Sequence, residues 1–326
     1  AIILLGGVDP SHEREWRRFN RLTSYAYMVL KHRGLTDDDI FYINPSYKQR
    51  NVKVDELTSK AAFERAILGW AVERVDRYTP LVIYMVSHGR EREFLIDPRG
   101  GYDSKLSPAE LDEWLDQLEK ETGVNDITII IEACRSGSFI KPLAKPGRVI
   151  IASAREDRPS MVTGGMAFSR RIFEHIHRNH PLDQALRETI EELRELPLFK
   201  GQFPQFDADG DGVPNQVRDY VALEGKHILD YTGFDTLEYL MGNKIQISEL
   251  LTGVAKLKVS ENLGIGLLKP GSVLAQEVVN MADVYLRVTT INQCPVIYGI
   301  KPSTRMYAIT VDDEKGLPYV HLTPLV

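Results

Sequence analysis

Two residues of this 326-residue chain carry the chemistry most readily: His88 in Ser87-His88-Gly89, and Cys134 in Glu132-Ala133-Cys134-Arg135-Ser136-Gly137. A thiol is a weak nucleophile near its ordinary pKa of about 8.5, and an imidazole within hydrogen-bond reach both lowers that value and removes the proton. His88 is therefore read as the base for a Cys134 nucleophile. Gly89 leaves an amide free to point at a developing oxyanion, and the amide of Cys134 supplies a second donor. The small residues Ala133, Ser136 and Gly137 let a substrate backbone approach.

Both residues follow apolar runs, Leu81 to Val86 and Ile127 to Ile131, of the kind that forms central strands of a parallel sheet covered on both faces. In open α/β sheets the ligand crevice lies beyond the carboxyl ends of the strands, so the two side chains are expected side by side. Taken singly, each has a plainer reading: a buried small hydrophobe for the cysteine and a satisfied turn residue for the histidine. Their joint placement favours a site.

The surrounding pattern alternates strands and helices. Ile2 to Leu5 reads as a strand. Glu13 to Lys31 reads as a helix with Phe19, Leu22, Ala26, Val29 and Leu30 on one face and Gly34 as its stop. Ile40 to Ile43 is the second strand, followed by a helix presenting Phe63, Ile67, Trp70, Ala71 and Val75. Glu93 to Ile96 reads as part of a hairpin. Ser107-Pro108-Ala109-Glu110 is a capping box with proline at the first helical position, before the stripe Leu111, Trp114, Leu115 and Leu118. Arg148 to Ala152 adds a strand, and helices over about 168–179 and 182–196 complete a doubly wound sheet ending near residue 225.

Beyond residue 245 the texture changes to short alternating runs, at 255–259, 284–290, 296–300 and 306–311, which predict a small β-sandwich over 245–326 after a connection at 226–244. Two domains suit the length and the 43% hydrophobic content. The net charge of −6, with no dense basic cluster, argues against nucleic acid as a partner. No run approaches the roughly 20 apolar residues of a membrane span. Two cysteines exclude a disulfide framework. The chain opens inside a strand, which is compatible with a segment of a longer protein.

The motifs Ser87-His88-Gly89 and Glu132-Ala133-Cys134-Arg135-Ser136-Gly137-Ser138 resemble those of legumain-type cysteine peptidases, of the caspase, gingipain and clostripain clan. The similarity spans about residues 1–200, including Ala26-Tyr27 to Gly34 and the strand Val149 to Ala154. It implies a caspase-like fold and peptide hydrolysis through a thioester on Cys134, with His88 as general base and acid and no cofactor required. It also implies a pocket for the side chain preceding the cut, built from Glu132, Ser160, Ser153 and Arg18, with Arg17 or Arg21 as alternatives to Arg18. The family's pocket aspartate aligns with Met166. A primary amide needs a donor and an acceptor, so the preference lies between Asn or Asp and a basic side chain paired with Glu132. The plainer reading of Glu132 is a strand-end carboxylate satisfied by backbone.

Asp207-Ala208-Asp209-Gly210-Asp211-Gly212 offers oxygens at positions 1, 3 and 5 of a calcium loop, with Asn215 at position 9. Arg218 stands at position 12, where a bidentate glutamate belongs, so the site would close through Asp219 or water. The alternative is an acidic turn merely solvated. Calcium and an immunoglobulin-like sandwich would both suit a secreted or surface protein, with a partner surface on the sandwich. The competing function class is a catalytically silent scaffold of the same fold.

Overall fold

The computed structural model describes residues 1–33, 35–77, 79–97, 104–163, 166–178 and 180–228, together with the backbone of seven strands between 256 and 325. The chain divides into two compact units, residues 1–31 with 37–233, and residues 32–36 with 234–326. Gly34, the expected helix stop, and residues 229–244 of the expected connection lie outside the described residues.

The first unit is built on a seven-stranded sheet. Its strands are β1 (Ile2–Leu5), β2 (Phe41–Asn44), β3 (Glu56–Leu57), β4 (Leu81–Val86), β8 (Ile127–Glu132), β9 (Arg148–Ala152) and β10 (Gln205–Asp207), in the order β10-β9-β8-β4-β1-β2-β3. All neighbours run parallel except β10, which pairs antiparallel with β9. A small antiparallel sheet of β5 (Gly89–Arg90), β6 (Glu93–Leu95) and β7 (Lys105–Leu106) grows from the end of β4. Chain order reverses direction between β1 and β4, the switch point at which α/β sheets open a crevice.

Helices cover both faces. On one, α2 (Lys60–Arg65) and α3 (Pro108–Thr122) place Phe63, Leu111 and Leu115 against Ile83, Met85, Ile129 and Ile131. On the other lie α1 (Glu13–His32) and α5 (Phe168–His177): Thr23 is hydrogen-bonded to Tyr42, and the Phe173 ring lies 4.8 Å from that of Tyr84. Burial on both sides explains why β4 reads as an unbroken apolar run and β8 as a nearly continuous one, interrupted by Thr128 and ending on Glu132. The remaining helices are α4 (Ile140–Leu143), α6 (Leu182–Glu195) and α7 (Val217–Ala222).

Local chemistry sets the ends of α3. Ser107 Oγ accepts from Glu110 N, the Glu110 carboxylate accepts from Ser107 N, and Gly123 closes the helix at φ 74°. The same helix turns Asp112, Asp116 and Glu119 toward Arg148, whose side chain is fully buried and bonded to all three, at 2.6, 2.6 and 2.5 Å. The helix expected to carry Val75 is shorter: after α2 the chain widens into a π-helical turn, Ala66–Ala71, around Gly69, a weak helix former. Val75 is buried all the same, from the following loop.

In the second unit, β13 (Val278–Met281), β14 (Val284–Ile291), β15 (Cys294–Lys301), β16 (Arg305–Asp312) and β17 (Tyr319–Leu325) form one antiparallel meander. A separate ribbon pairs β11 (Lys256–Leu257) with β12 (Ile265–Gly266). The expected strands at 284–290, 296–300 and 306–311 fall within β14, β15 and β16.

Candidate active site

β4 and β8 are hydrogen-bonded neighbours with Val86 paired to Glu132, so His88 and Cys134 each stand two residues past a matched pair at the same edge of the sheet. Gly89 is in close approach to the cysteine backbone: a Cβ there would lie 2.4 Å from Cys134 O and 3.0 Å from Ala133 Cβ. Leu95 N donates to His88 O, which makes Gly89 and Phe94 the next, non-hydrogen-bonded pair of the ladder and turns the Gly89 N–H away from β6. Among the described residues the Cys134 N–H donates no hydrogen bond. Both amides expected at an oxyanion are thus spared from the secondary structure.

Arg135, directly after the cysteine, takes the left-handed conformation (φ 59°, ψ 22°), a costly geometry for a non-glycine residue that aims the preceding side chain out of the strand end. Arg135 N is held by Arg158 O at 2.8 Å. The Cys134 sulfur accepts from Ser160 N at 3.3 Å and lies 3.7 Å from Ser160 O. The His88 imidazole sits against Phe19 with ring centroids 5.0 Å apart, and its Nε2 is 3.0 Å from Glu15 Oε1. Thiol and imidazole are therefore each hydrogen-bonded to a third residue rather than to each other.

The expected pocket residues divide. Glu132 is fully buried; Oε1 accepts from the Ser160 hydroxyl and Oε2 from Ser169 N at 2.7 Å. Burial pushes its carboxyl above the usual range, against those hydrogen bonds, which favour the charge. Ser160 thus touches both Cys134 and Glu132. Ser153 is also buried, its hydroxyl held between Ala133 N at 3.1 Å and Ala133 O at 3.2 Å, so it braces the cysteine turn from behind. Arg18 is exposed on α1, over the Phe19 ring and 4.0 Å from Glu15, the two residues that touch His88. With His12, Glu13, Arg14, Glu15, Arg17, Arg21 and Thr163 it lines a cleft of about 760 Å3 of mixed charge. Met166 pairs with Thr163 across a short bridge.

Sequence reasoning missed three residues here. Gln202, almost fully buried, donates to Ser153 O at 2.6 Å and Ser160 Oγ at 3.2 Å and accepts from Met161 N, tying the Ser160 segment to the sheet. Ser169 caps Glu132 from α5. Neither carries a local signal. Glu15 does: it stands three and four residues before Arg18 and Phe19, on the same helical face.

In the acidic loop, ligand atoms of Asp207, Asp209 and Asp219 lie within 4.8 Å of one another. Asn215 is used otherwise, its Oδ1 accepting from Phe206 N and its Nδ2 donating to Pro204 O. Asp211 sits with Gln216 and Arg218, and Arg218 also pairs with Asp209 at 2.7 Å. Burial, joined by the neighbouring Asp219 and Asp209, holds the Asp207 carboxyl above its usual range. Asp207 and Asp219 are fully buried and their oxygens accept from backbone, Asp207 from Gly210 N and Gly212 N and Asp219 from Ala208 N and Gln216 N; with Asp209 they are the residues that could hold a hard cation.

Comparison with known proteins bears on the Cys134 site. Residues 74–178 match the Peptidase C13 family. The matched segment contains both His88 and Cys134, and the C13 match supports a cysteine-type peptidase, a hydrolase acting on protein substrates. The chain is also similar to the crystal structure of caspase-1 from Spodoptera frugiperda, at 15% identity over 64% of this chain and 87% of that one, with a TM-score of 0.44. No curated protein matches. No helix among the described residues is long and apolar enough to cross a membrane.

Proposed function

We propose that the chain is a cysteine endopeptidase in which Cys134 is the nucleophile and His88 the general base and acid. The observation that carries the reading is the in-register pairing of β4 with β8, which brings the two residues to adjacent strand ends with Gly89 against the Cys134 carbonyl. Contact between His88 Nε2 and Glu15 orients the ring and leaves Nδ1 for the reacting atoms, as a third residue does in catalytic triads.

The Cys134 sulfur attacks the scissile carbonyl as its proton passes to His88. The N–H groups of Gly89 and Cys134 receive the oxyanion, and the imidazolium protonates the leaving amine. Water, deprotonated by His88, then hydrolyses the thioester; an amine in its place gives ligation. No cofactor enters the chemistry.

For the residue preceding the cut, Asn or Asp stands ahead of a basic side chain. Both Glu132 oxygens already accept hydrogen bonds, whereas Arg18 is exposed at a cleft. A structural calcium ion at Asp207, Asp209 and Asp219 and an immunoglobulin-like sandwich in the second unit, offering a partner surface, complete the proposal and suit a secreted or surface protein.

The test is hydrolysis of a diverse fluorogenic peptide library by the intact chain and by Cys134→Ala, with and without calcium. Loss of cleavage by about 10^3-fold or more in the variant is expected. Absence of any Cys134-dependent cleavage would overturn the reading in favour of a silent scaffold.

A further inference from the structure

We propose that His175, His180 and Glu188 form a binding site for a divalent transition-metal ion of the zinc type, remote from Cys134, that ties α5 to α6. His175 is buried in the last turn of α5, His180 follows the helix, and Glu188 and Glu192 share one face of α6. Three ligand atoms converge: His175 Nδ1 is 2.9 Å and His180 Nδ1 2.8 Å from the same oxygen, Glu188 Oε2. The two rings stack with centroids 5.3 Å apart, and Gln184 Nε2 holds the other Glu188 oxygen at 2.8 Å.

His175 distinguishes this cluster from an ordinary ion pair. Its residue is 3% exposed, and its Nδ1 makes no hydrogen bond of acceptable geometry although Glu188 Oε2 is so near. The opposite nitrogen, Nε2, faces Glu192 Oε1 at 3.4 Å. With the proton on Nε2, directed at Glu192, the Nδ1 lone pair is left buried and without a hydrogen-bond partner, beside an oxygen of Glu188 that could share a cation with it.

A carboxylate behind the far nitrogen of a histidine is the arrangement that orients imidazole ligands on metals. Two imidazoles and one carboxylate suit zinc, leaving a fourth tetrahedral position for water, and nitrogen donors disfavour calcium and magnesium. Metal–ligand bonds of about 2.0–2.2 Å require ligand atoms about 3.3 Å apart, so each histidine nitrogen need move from Glu188 Oε2 by only about half an ångström, and all three ligand atoms already lie within 4.8 Å of one another. His180 and Glu188 are partly exposed, which gives an ion a way in.

The test uses the untagged full chain carrying Cys134→Ala, so that the reactive thiol cannot bind the titrant. After chelator treatment, zinc chloride is titrated in competition with a chromophoric chelator, and cobalt(II) is followed by its visible absorption. One equivalent of zinc with submicromolar affinity is expected, together with the strong visible bands of a tetrahedral cobalt site. His180→Gln and Glu188→Gln should each weaken binding by about 100-fold or more, Glu192→Gln by about 10- to 100-fold, and Asp207→Asn not at all. The proposal is overturned by absence of a stoichiometric site, or by affinity that His180→Gln and Glu188→Gln leave unchanged.

Discussion

Ser169 N, in the first turn of α5, donates to Glu132 Oε2 at 2.7 Å, two residues before Cys134. This bond joins a helix on one face of the sheet to the strand end that presents the cysteine. With Ser160, which bonds Glu132 through its hydroxyl and Cys134 through its amide, it makes the buried carboxylate a hub for the site.

Glu132→Gln should therefore separate stability from activity. Burial raises the folded pKa of Glu132 above its unfolded value, so the folded state binds the extra proton. The stabilisation from that proton is complete below the unfolded value of about 4.3 and is lost as pH rises through the folded one. Glutamine, able to accept from Ser169 N and donate to Ser160 Oγ, escapes this loss. Thermal unfolding should show the variant gaining stability over the parent as pH increases toward neutrality, with the gain vanishing below pH of about 4. Peptide hydrolysis should fall if Glu132 also shapes the substrate pocket.

Gly89→Ala places a methyl group against backbone, 2.4 Å from Cys134 O, where no flexible side chain can yield. The strand ends must separate, at a cost of about 1–3 kcal/mol. The expected signature is a lowered denaturation midpoint together with a reduced kcat. Unchanged kcat would mean that the Gly89 amide has no part in the reaction.

Arg148→Leu removes the only buried cation facing Asp112, Asp116 and Glu119 among the described residues, leaving Lys145 to pair with two of them. Because Asp112 and Asp116 are 38% and 54% exposed, no charge is stranded in the core, and the loss is that of the buried guanidinium's hydrogen bonds, about 1–3 kcal/mol, which urea denaturation should register. Because this network lies at the start of β9, away from the Cys134 edge, activity per folded molecule should be unaffected.

Millimolar calcium should raise the melting temperature of the intact chain, and a chelator should reverse the rise. A cation at Asp207, Asp209 and Asp219 would offset the burial, and with it the repulsion from Asp219 and Asp209, that raises the Asp207 pKa, so the calcium effect should weaken as pH falls and Asp207 protonates. Asp207→Asn should abolish it, whereas Asn215→Ala, whose side chain is bonded to Phe206 and Pro204, should leave calcium binding intact.

What the sequence by itself determined is whatever depends on local pattern. Nearly continuous apolar runs delimited β4, β8 and β9 within a residue, because strands buried on both faces admit a polar side chain only where it is satisfied, as Glu132 and Arg148 are; the capping box located α3 because its hydrogen bonds span only three residues. His88 and Cys134 were legible for the same reason, each standing directly after such a run.

Only the tertiary structure decided which partners meet across long separations. Gln202 reaches Ser153, Ser169 reaches Glu132 and Glu15 reaches His88 from 37 to 73 residues away, and no periodicity encodes such pairings. The three-residue β10, with one apolar side chain at its centre, is likewise a strand only because β9 leaves it an edge to pair with. In the acidic loop, spacing named Asp207, Asp209, Asp211 and Asn215, with Asp219 or water to close the site; packing brings Asp219 beside Asp207 and Asp209 from α7, while Arg218 claims Asp211. Local sequence sets where a chain turns; packing alone sets what the turn faces.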